Sequence, residues 1–133
     1  MAYENSVSGA YQPAYFDTLW DWVNNRGCMR EGVAREECPP MVDEYNRETA
    51  PILAAFRTHL AFLDENPAPH CLADAYTSDR AVTQSVIAWI TPPRVAEWGT
   101  WGGGRQQILD FNKLMASVTA FEQKLPAYLS TCG

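Results

Sequence analysis

The sequence is poor in basic residues and has no long hydrophobic run. Ten lysines and arginines stand against sixteen aspartates and glutamates, giving a formal net charge of −6. Binding to nucleic acids and to anionic membranes depends on lysine and arginine side chains that meet phosphate groups. No window approaches the roughly 18 apolar residues that a membrane span needs. We therefore expect no nucleic-acid partner and no membrane span.

Motifs for common enzyme chemistry are also missing. The sequence has no phosphate-binding loop, dinucleotide-binding glycine pattern, His-Glu-x-x-His motif, EF-hand loop or C-x-x-C pair. We expect no metal, no cofactor and no catalytic residue. The two histidines, His59 and His70, are the only candidates for a general base. A structural, hydrogen-bonded role is the commoner one for a histidine beside an apolar helical row, as at His59.

Alternating strand patterns and internal repeats are absent as well. The sequence instead has four segments with helical periodicity, which predict an all-α fold. We expect a compact, four-helix bundle-like single domain with short extra helical turns over residues 12–133. Residues 1–11 are polar and aperiodic, and we expect a flexible N-terminal arm there.

Two of the predicted helices lie in the first half of the chain. The first begins at Pro13 and ends near Arg26. The second begins at the Pro39-Pro40 pair and runs to about residue 63, with Pro51 expected to kink or split it and Thr49 to cap the second piece.

The other two predicted helices lie in the second half. One is expected to begin at Ser78, with Asp79 in its first turn, and to end before the Thr91-Pro92-Pro93 stop. The last helix is the clearest, because its apolar residues step by threes and fours from Phe111 to Tyr128. Three tryptophans on helical apolar faces are expected in the core: Trp20, Trp22 and Trp89.

The four cysteines are even in number and are expected to form two disulfides, Cys28 to Cys38 and Cys71 to Cys132. Disulfides persist in oxidising compartments, so we expect a periplasmic or secreted protein. The N-terminus lacks the basic and apolar regions of a signal peptide, and we expect such a peptide to have been removed before this start. Four reduced cytosolic thiols remain the alternative.

Two features are typical of a surface that binds another protein. Between residues 31 and 48, six acids stand against two arginines, a local net charge of −4. The acids are Glu31, Glu36, Glu37, Asp43, Glu44 and Glu48. The second feature is the glycine-rich segment 98–104, where Trp98 and Trp101 precede Arg105, because tryptophan and arginine are common interface anchors. The alternative for the acidic run is a solvated face without a partner. The alternative for the two tryptophans is that they cover the end of the core.

Together these observations predict a non-catalytic protein-binding module. The particular hypothesis is an acidic periplasmic or secreted immunity or inhibitor protein that neutralises a toxin enzyme by direct binding. Its partner would then be another protein, possessing a basic surface. Two alternatives stay open: a carrier of a small apolar ligand inside the helical bundle, and a small secreted enzyme that uses His59 or His70.

Overall fold

The architecture is entirely helical over the residues that the structure describes. A computed structural model describes residues 2–26, 38–91 and 103–132, and the side chains of 38–41 and 103–108 are outside that description. The helices are α1 (Ala2–Ala10), α2 (Pro13–Asp21), α3 (Cys38–Glu65), α4 (Ala73–Ile90) and α5 (Gly103–Ser130). A π-helical turn, Trp22–Arg26, extends α2, and a 3-10 turn, His70–Leu72, leads into α4. The predicted all-α fold, with four helices packed against each other, is confirmed.

Helix α1 replaces the flexible arm that the sequence predicts. Tyr3, Val7 and Ala10 are buried, with Tyr11 directly after the helix. These positions are spaced by four and three residues and therefore share one face of a helix. The face packs against α3, so burial of this stripe holds a segment whose polar composition would not keep it helical alone.

Helix α2 and its π turn occupy the extent that the sequence predicts for its first helix. Trp22 is 1% exposed, whereas Trp20 is 51% exposed, so the prediction of a buried Trp20 is wrong. The buried arc of α2 runs through Phe16 and Leu19 towards Tyr15 and Trp22, and Trp20 lies just beyond its other edge. The Trp22 indole packs edge-on against Tyr45 of α3.

Helix α3 is continuous through Pro51, which differs from the predicted kink or split. Pro51 is exposed, so its ring projects away from the core. Thr49 caps nothing: its hydroxyl donates a hydrogen bond to the carbonyl of Tyr45 one turn earlier, at 2.8 Å. That bond satisfies a hydroxyl that the core would otherwise bury without a partner.

Helix α4 begins five residues before the predicted Ser78 start, at Ala73. Asp79 is consequently not a first-turn residue that faces the positive helix end. It lies in the body of the helix and is completely buried. The predicted end is confirmed, since α4 stops at Ile90 and Thr91 is extended.

The core is built from the apolar rows of all five helices. Its α5 part is the predicted seam, with Phe111, Leu114, Val118 and Phe121 buried and the later seam residues packed against them. Trp89 of α4 is also buried and packs against Phe111, as predicted. Helix α4 packs between α3 and α5.

A disulfide joins Cys71, in the 3-10 turn before α4, to Cys132, after α5. This is the long bridge that the sequence predicts. The Thr131 hydroxyl also donates a hydrogen bond to the carbonyl of Cys71 at 2.8 Å, beside the bridge. No helix within the described ranges is long and apolar enough to cross a membrane.

Candidate functional site

The most concentrated group of polar side chains lies inside the core, around Asp79. Its Oδ1 accepts hydrogen bonds from the hydroxyls of Tyr11, at 2.6 Å, and Thr83, at 3.1 Å. Its Oδ2 accepts one from Tyr3, at 2.9 Å, and lies 2.7 Å from Nε2 of His59. Four partners therefore surround one carboxylate, which offsets the large cost of burying its charge.

His59 extends this network to Ser6 of α1. Its Nδ1 lies 2.7 Å from the Ser6 hydroxyl. When Nε2 carries the proton, it donates to Asp79, and Nδ1 accepts from Ser6. Serine, histidine and aspartate also form the catalytic triad of hydrolases, but there the serine bonds Nε2 and the aspartate bonds Nδ1, the reverse of the contacts of His59. Here, however, the histidine is only 1% exposed.

The two tyrosines keep their protons far into the alkaline range. Burial raises the pKa of both Tyr3 and Tyr11 well above the ordinary value, and the negative charge of Asp79 raises it further. They are therefore donors to Asp79 at any physiological pH. The pKa of the neighbouring Tyr76 is raised by the same two causes.

This network connects three helices through their polar groups. Tyr3 and Ser6 come from α1, His59 from α3, and Asp79 and Thr83 from α4. Sequence periodicity predicts that His59 is hydrogen-bonded beside an apolar row, and the structure shows both of its ring nitrogens with a partner. It could not identify Asp79, because an aspartate after a serine resembles a helix start. The other histidine, His70, is exposed in the 3-10 turn.

A second candidate site lies on the surface where α2 meets the start of α3. Arg26 binds three acids there: Asp21 at 3.5 Å, Glu48 at 2.8 Å, and Glu44. Its guanidinium also stacks on the Trp22 ring, 3.9 Å from the centroid. These contacts raise the pKa of Arg26, above all through its hydrogen bond to Glu48.

The acids of the predicted patch on α3 differ in their contacts and in their exposure. Glu48 turns inwards, since it also accepts a hydrogen bond from the Trp22 indole at 3.1 Å. Asp43 and Glu44 stay exposed on α3, and Glu44 keeps 48% of its side chain accessible while it binds Arg26. Arg26 is a single cation bound to three acids, so this group of four side chains has a formal negative charge.

Trp20, a predicted core residue, is instead half exposed on α2. It shares the outer side of α2 with Asp17, one turn earlier, and is adjacent to Asp21. Asp21 of α2 and Glu44 of α3 both bind the guanidinium of Arg26. The two helices therefore contribute to one surface. We call Asp17, Trp20, Asp21, Asp43 and Glu44 the acidic tryptophan face.

Several predicted site residues lie outside the described residues. These are the acids Glu31, Glu36 and Glu37, the tryptophans Trp98 and Trp101, and Cys28 of the predicted short disulfide. Arg105 and Cys38 belong to α5 and α3, but their side chains are also outside the description. The predicted roles of all these residues remain predictions.

Two grooves lined by described residues open on the surface near α1. The first, of about 520 Å³, lies between α1 and the last turns of α5. The second, of about 440 Å³, lies beside the Cys71–Cys132 bridge, with Tyr3, Phe62 and Leu72 among its lining residues. Ser6 and His59 line neither groove. Within the described part of the chain, no three histidine, cysteine or acidic side chains are grouped to hold a metal ion.

Comparison with protein-family models, curated proteins and solved structures finds no match for this chain.

Proposed function

We propose that the chain is a protein-binding module that recognises a basic partner through the acidic tryptophan face. The observation that carries this proposal is the half-exposed Trp20 on α2, which has Asp17 one turn earlier and Asp21 as its neighbour in the sequence. Tryptophan is the residue type most enriched at interface hot spots. Surrounding carboxylates attract a basic partner and orient its approach. The buried Trp22, two positions later, stacks on Arg26, and Arg26 in turn binds Asp21 and Glu44 of this face.

The finer proposal is an immunity or inhibitor protein that neutralises a basic toxin enzyme in the periplasm or outside the cell. Acidic surfaces suit this task, because an enzyme that acts on nucleic acids has a basic substrate-binding surface. The Cys71–Cys132 disulfide supports the same proposal, since such bonds persist in oxidising compartments.

Binding assays with surface variants test this proposal. The immobilised chain would capture partners from the native extract as wild type, Trp20→Ala, the charge reversal Asp43→Lys/Glu44→Lys, and Leu109→Ala. Leu109 is the matched control, because it is also 51% exposed but lies on α5. Each captured protein would then be purified and its affinity measured by calorimetry.

The expected partner is a basic protein bound by the wild type and by Leu109→Ala with equal affinity. Trp20→Ala should weaken that affinity by more than about tenfold, as loss of an interface anchor does. The charge reversal should weaken it too, with a smaller effect at high salt. Binding that Leu109→Ala weakens as much as Trp20→Ala would rule out this face. For the finer proposal, the purified partner must be an enzyme whose activity the wild type inhibits.

A further inference from the structure

The groove between α1 and α5 has walls of matched spacing. Residues 4, 7, 8 and 11 line one wall, and residues 122, 125, 126 and 129 line the other. Each wall is therefore one stripe of a helix. Val7, Tyr11, Leu125 and Leu129 supply an apolar floor, and Glu4 and Glu122 are the only charged lining residues.

The two glutamates lie at opposite ends of this groove. The Tyr11 ring is 5.2 Å from the ring of Phe121, the neighbour of Glu122. Tyr3, the neighbour of Glu4, lies close enough to Tyr128 for the two hydroxyls to interact electrostatically. Helices α1 and α5 are therefore antiparallel along the groove. Seven residues separate Glu4 from Tyr11, which corresponds to about 10 Å along the helix axis.

Neither glutamate has an ion-pair or hydrogen-bond partner among the residues that the structure describes. Glu122 is exposed, and partial burial of its carboxylate raises its pKa, so it loses part of its hydration with no described cation beside it. A cationic group from a ligand would supply that missing interaction. The volume of about 520 Å³ is in the range of small-molecule sites.

We propose that this groove binds an organic dication with an apolar spine, such as a terminal alkyl diamine. One ammonium group binds Glu4, the other binds Glu122, and the methylene chain between them covers the apolar floor. This site is separate from the acidic tryptophan face and goes beyond the proposed function. It also differs from a carrier cavity inside the bundle, because the groove lies at the surface between two helices.

Calorimetric titrations of the full chain with four probes test this proposal: the terminal diamine of octane, octylamine, octanol, and the terminal diamine of propane. The octane diamine can reach both ends, octylamine only one, and octanol neither charge. The propane diamine has both charges but is too short to span the groove. Two-dimensional NMR spectra would locate each binding site.

We expect the octane diamine to bind more tightly than octylamine by about fivefold, the ratio for one ion pair of about 1 kcal/mol. Glu4→Gln and Glu122→Gln should each reduce its affinity to that of octylamine, and shifts should centre on Val7, Tyr11 and Leu125. Glu65→Gln, an exposed acid at the end of α3, is the matched control and should change nothing.

Three outcomes would overturn the proposal. The first is equal affinity for octane diamine and octylamine, which would mean that the groove holds only one cation. The second is an equal loss in Glu65→Gln, which would indicate unspecific attraction to an acidic protein. The third is no diamine binding together with tight binding of a lysine-bearing amphipathic peptide, which would assign the groove to a helical partner. Circular dichroism checks that each variant keeps its helices.

Discussion

The hydroxyl of Tyr11 donates a hydrogen bond of 2.6 Å to Oδ1 of Asp79, across 68 positions of sequence. Both residues are buried, so water does not compete for either group. The bond connects the end of α1 to the middle of α4. Together with the bonds from Tyr3 and His59, it makes one carboxylate the point where α1, α3 and α4 meet.

Replacing Asp79 with asparagine should destabilise the protein by about 3 kcal/mol, because three hydroxyl donors and His59 then face an amide that can accept at only one atom. Urea unfolding, followed by circular dichroism, measures this loss. Asp74→Asn is the control, since Asp74 is exposed in the first turn of the same helix. A loss below about 1 kcal/mol would contradict the burial of this network.

Stability should fall as the pH rises above about 10, the ordinary pKa of tyrosine. Below that pH, Tyr3 and Tyr11 are protonated in both states, and their contribution is complete. Above it, the unfolded chain ionises these tyrosines while the folded chain keeps them protonated, because their folded pKa is raised. Each such tyrosine then removes about 1.4 kcal/mol per pH unit until its folded pKa is reached.

Unfolding curves at several alkaline pH values measure that slope for the wild type and for Tyr11→Phe. The variant should have lower stability at neutral pH and a shallower alkaline slope, since it has one buried hydroxyl fewer to titrate. Equal slopes would mean that the Tyr11 hydroxyl is accessible to solvent in the folded protein.

Removing the Cys71–Cys132 bridge should lower the free energy of unfolding by about 4 kcal/mol, the loop-entropy value for its separation of 61 residues. The double variant Cys71→Ala/Cys132→Ala, compared with the wild type in urea, measures this loss. A further loss when reductant is added to the double variant would report the predicted Cys28–Cys38 bridge. A wild type that reductant does not destabilise would contradict both bridges.

Gly9→Ala should stabilise the protein by about 0.5–1 kcal/mol. Gly9 is exposed inside α1, and a Cβ atom added there has nothing within 4 Å. Alanine therefore gains helix propensity without a clash. The gain is measurable as a rise in the urea midpoint at unchanged slope. Gly9→Pro, as a counterpart, should unfold α1 and lower the midpoint, and two unchanged midpoints would show that α1 is not helical in solution.

Periodicity predicts the long helices of this fold because their apolar rows are long and regular. The α5 seam and the end of α4 at Ile90 are where the sequence places them. The start of α4 is missed because residues 73–77 carry no strong apolar stripe. Trp20 is misplaced for a different reason: a helical wheel fixes which residues share a side, but the width and centre of the buried arc depend on the neighbouring helix.

Neither helix α1 nor the Asp79 network could be predicted from the sequence, because the burial of α1 and the hydrogen bonds to Asp79 depend on each other. Residues 2–10 have only three buried positions, too few to indicate a helix against their polar neighbours. The hydroxyls of Tyr3 and Ser6 find their hydrogen-bond partners only when Asp79 and His59 approach from other helices. Asp43 and Glu44 of the predicted acidic patch are exposed, but the sequence contains no signal that Glu44 shares Arg26 with Asp21 of α2.

The mixed character of the inward face of α1 fixes its rotational setting. A purely aliphatic stripe can slide or turn against its neighbours at small cost, since hydrocarbon contacts are not directional. On α1 the same side presents Tyr3, Ser6 and Val7, so rotation by a single residue would set phenol and alcohol groups against hydrocarbon and leave Asp79 short of donors. Helix α1 can therefore pack against its neighbours in one rotational orientation only.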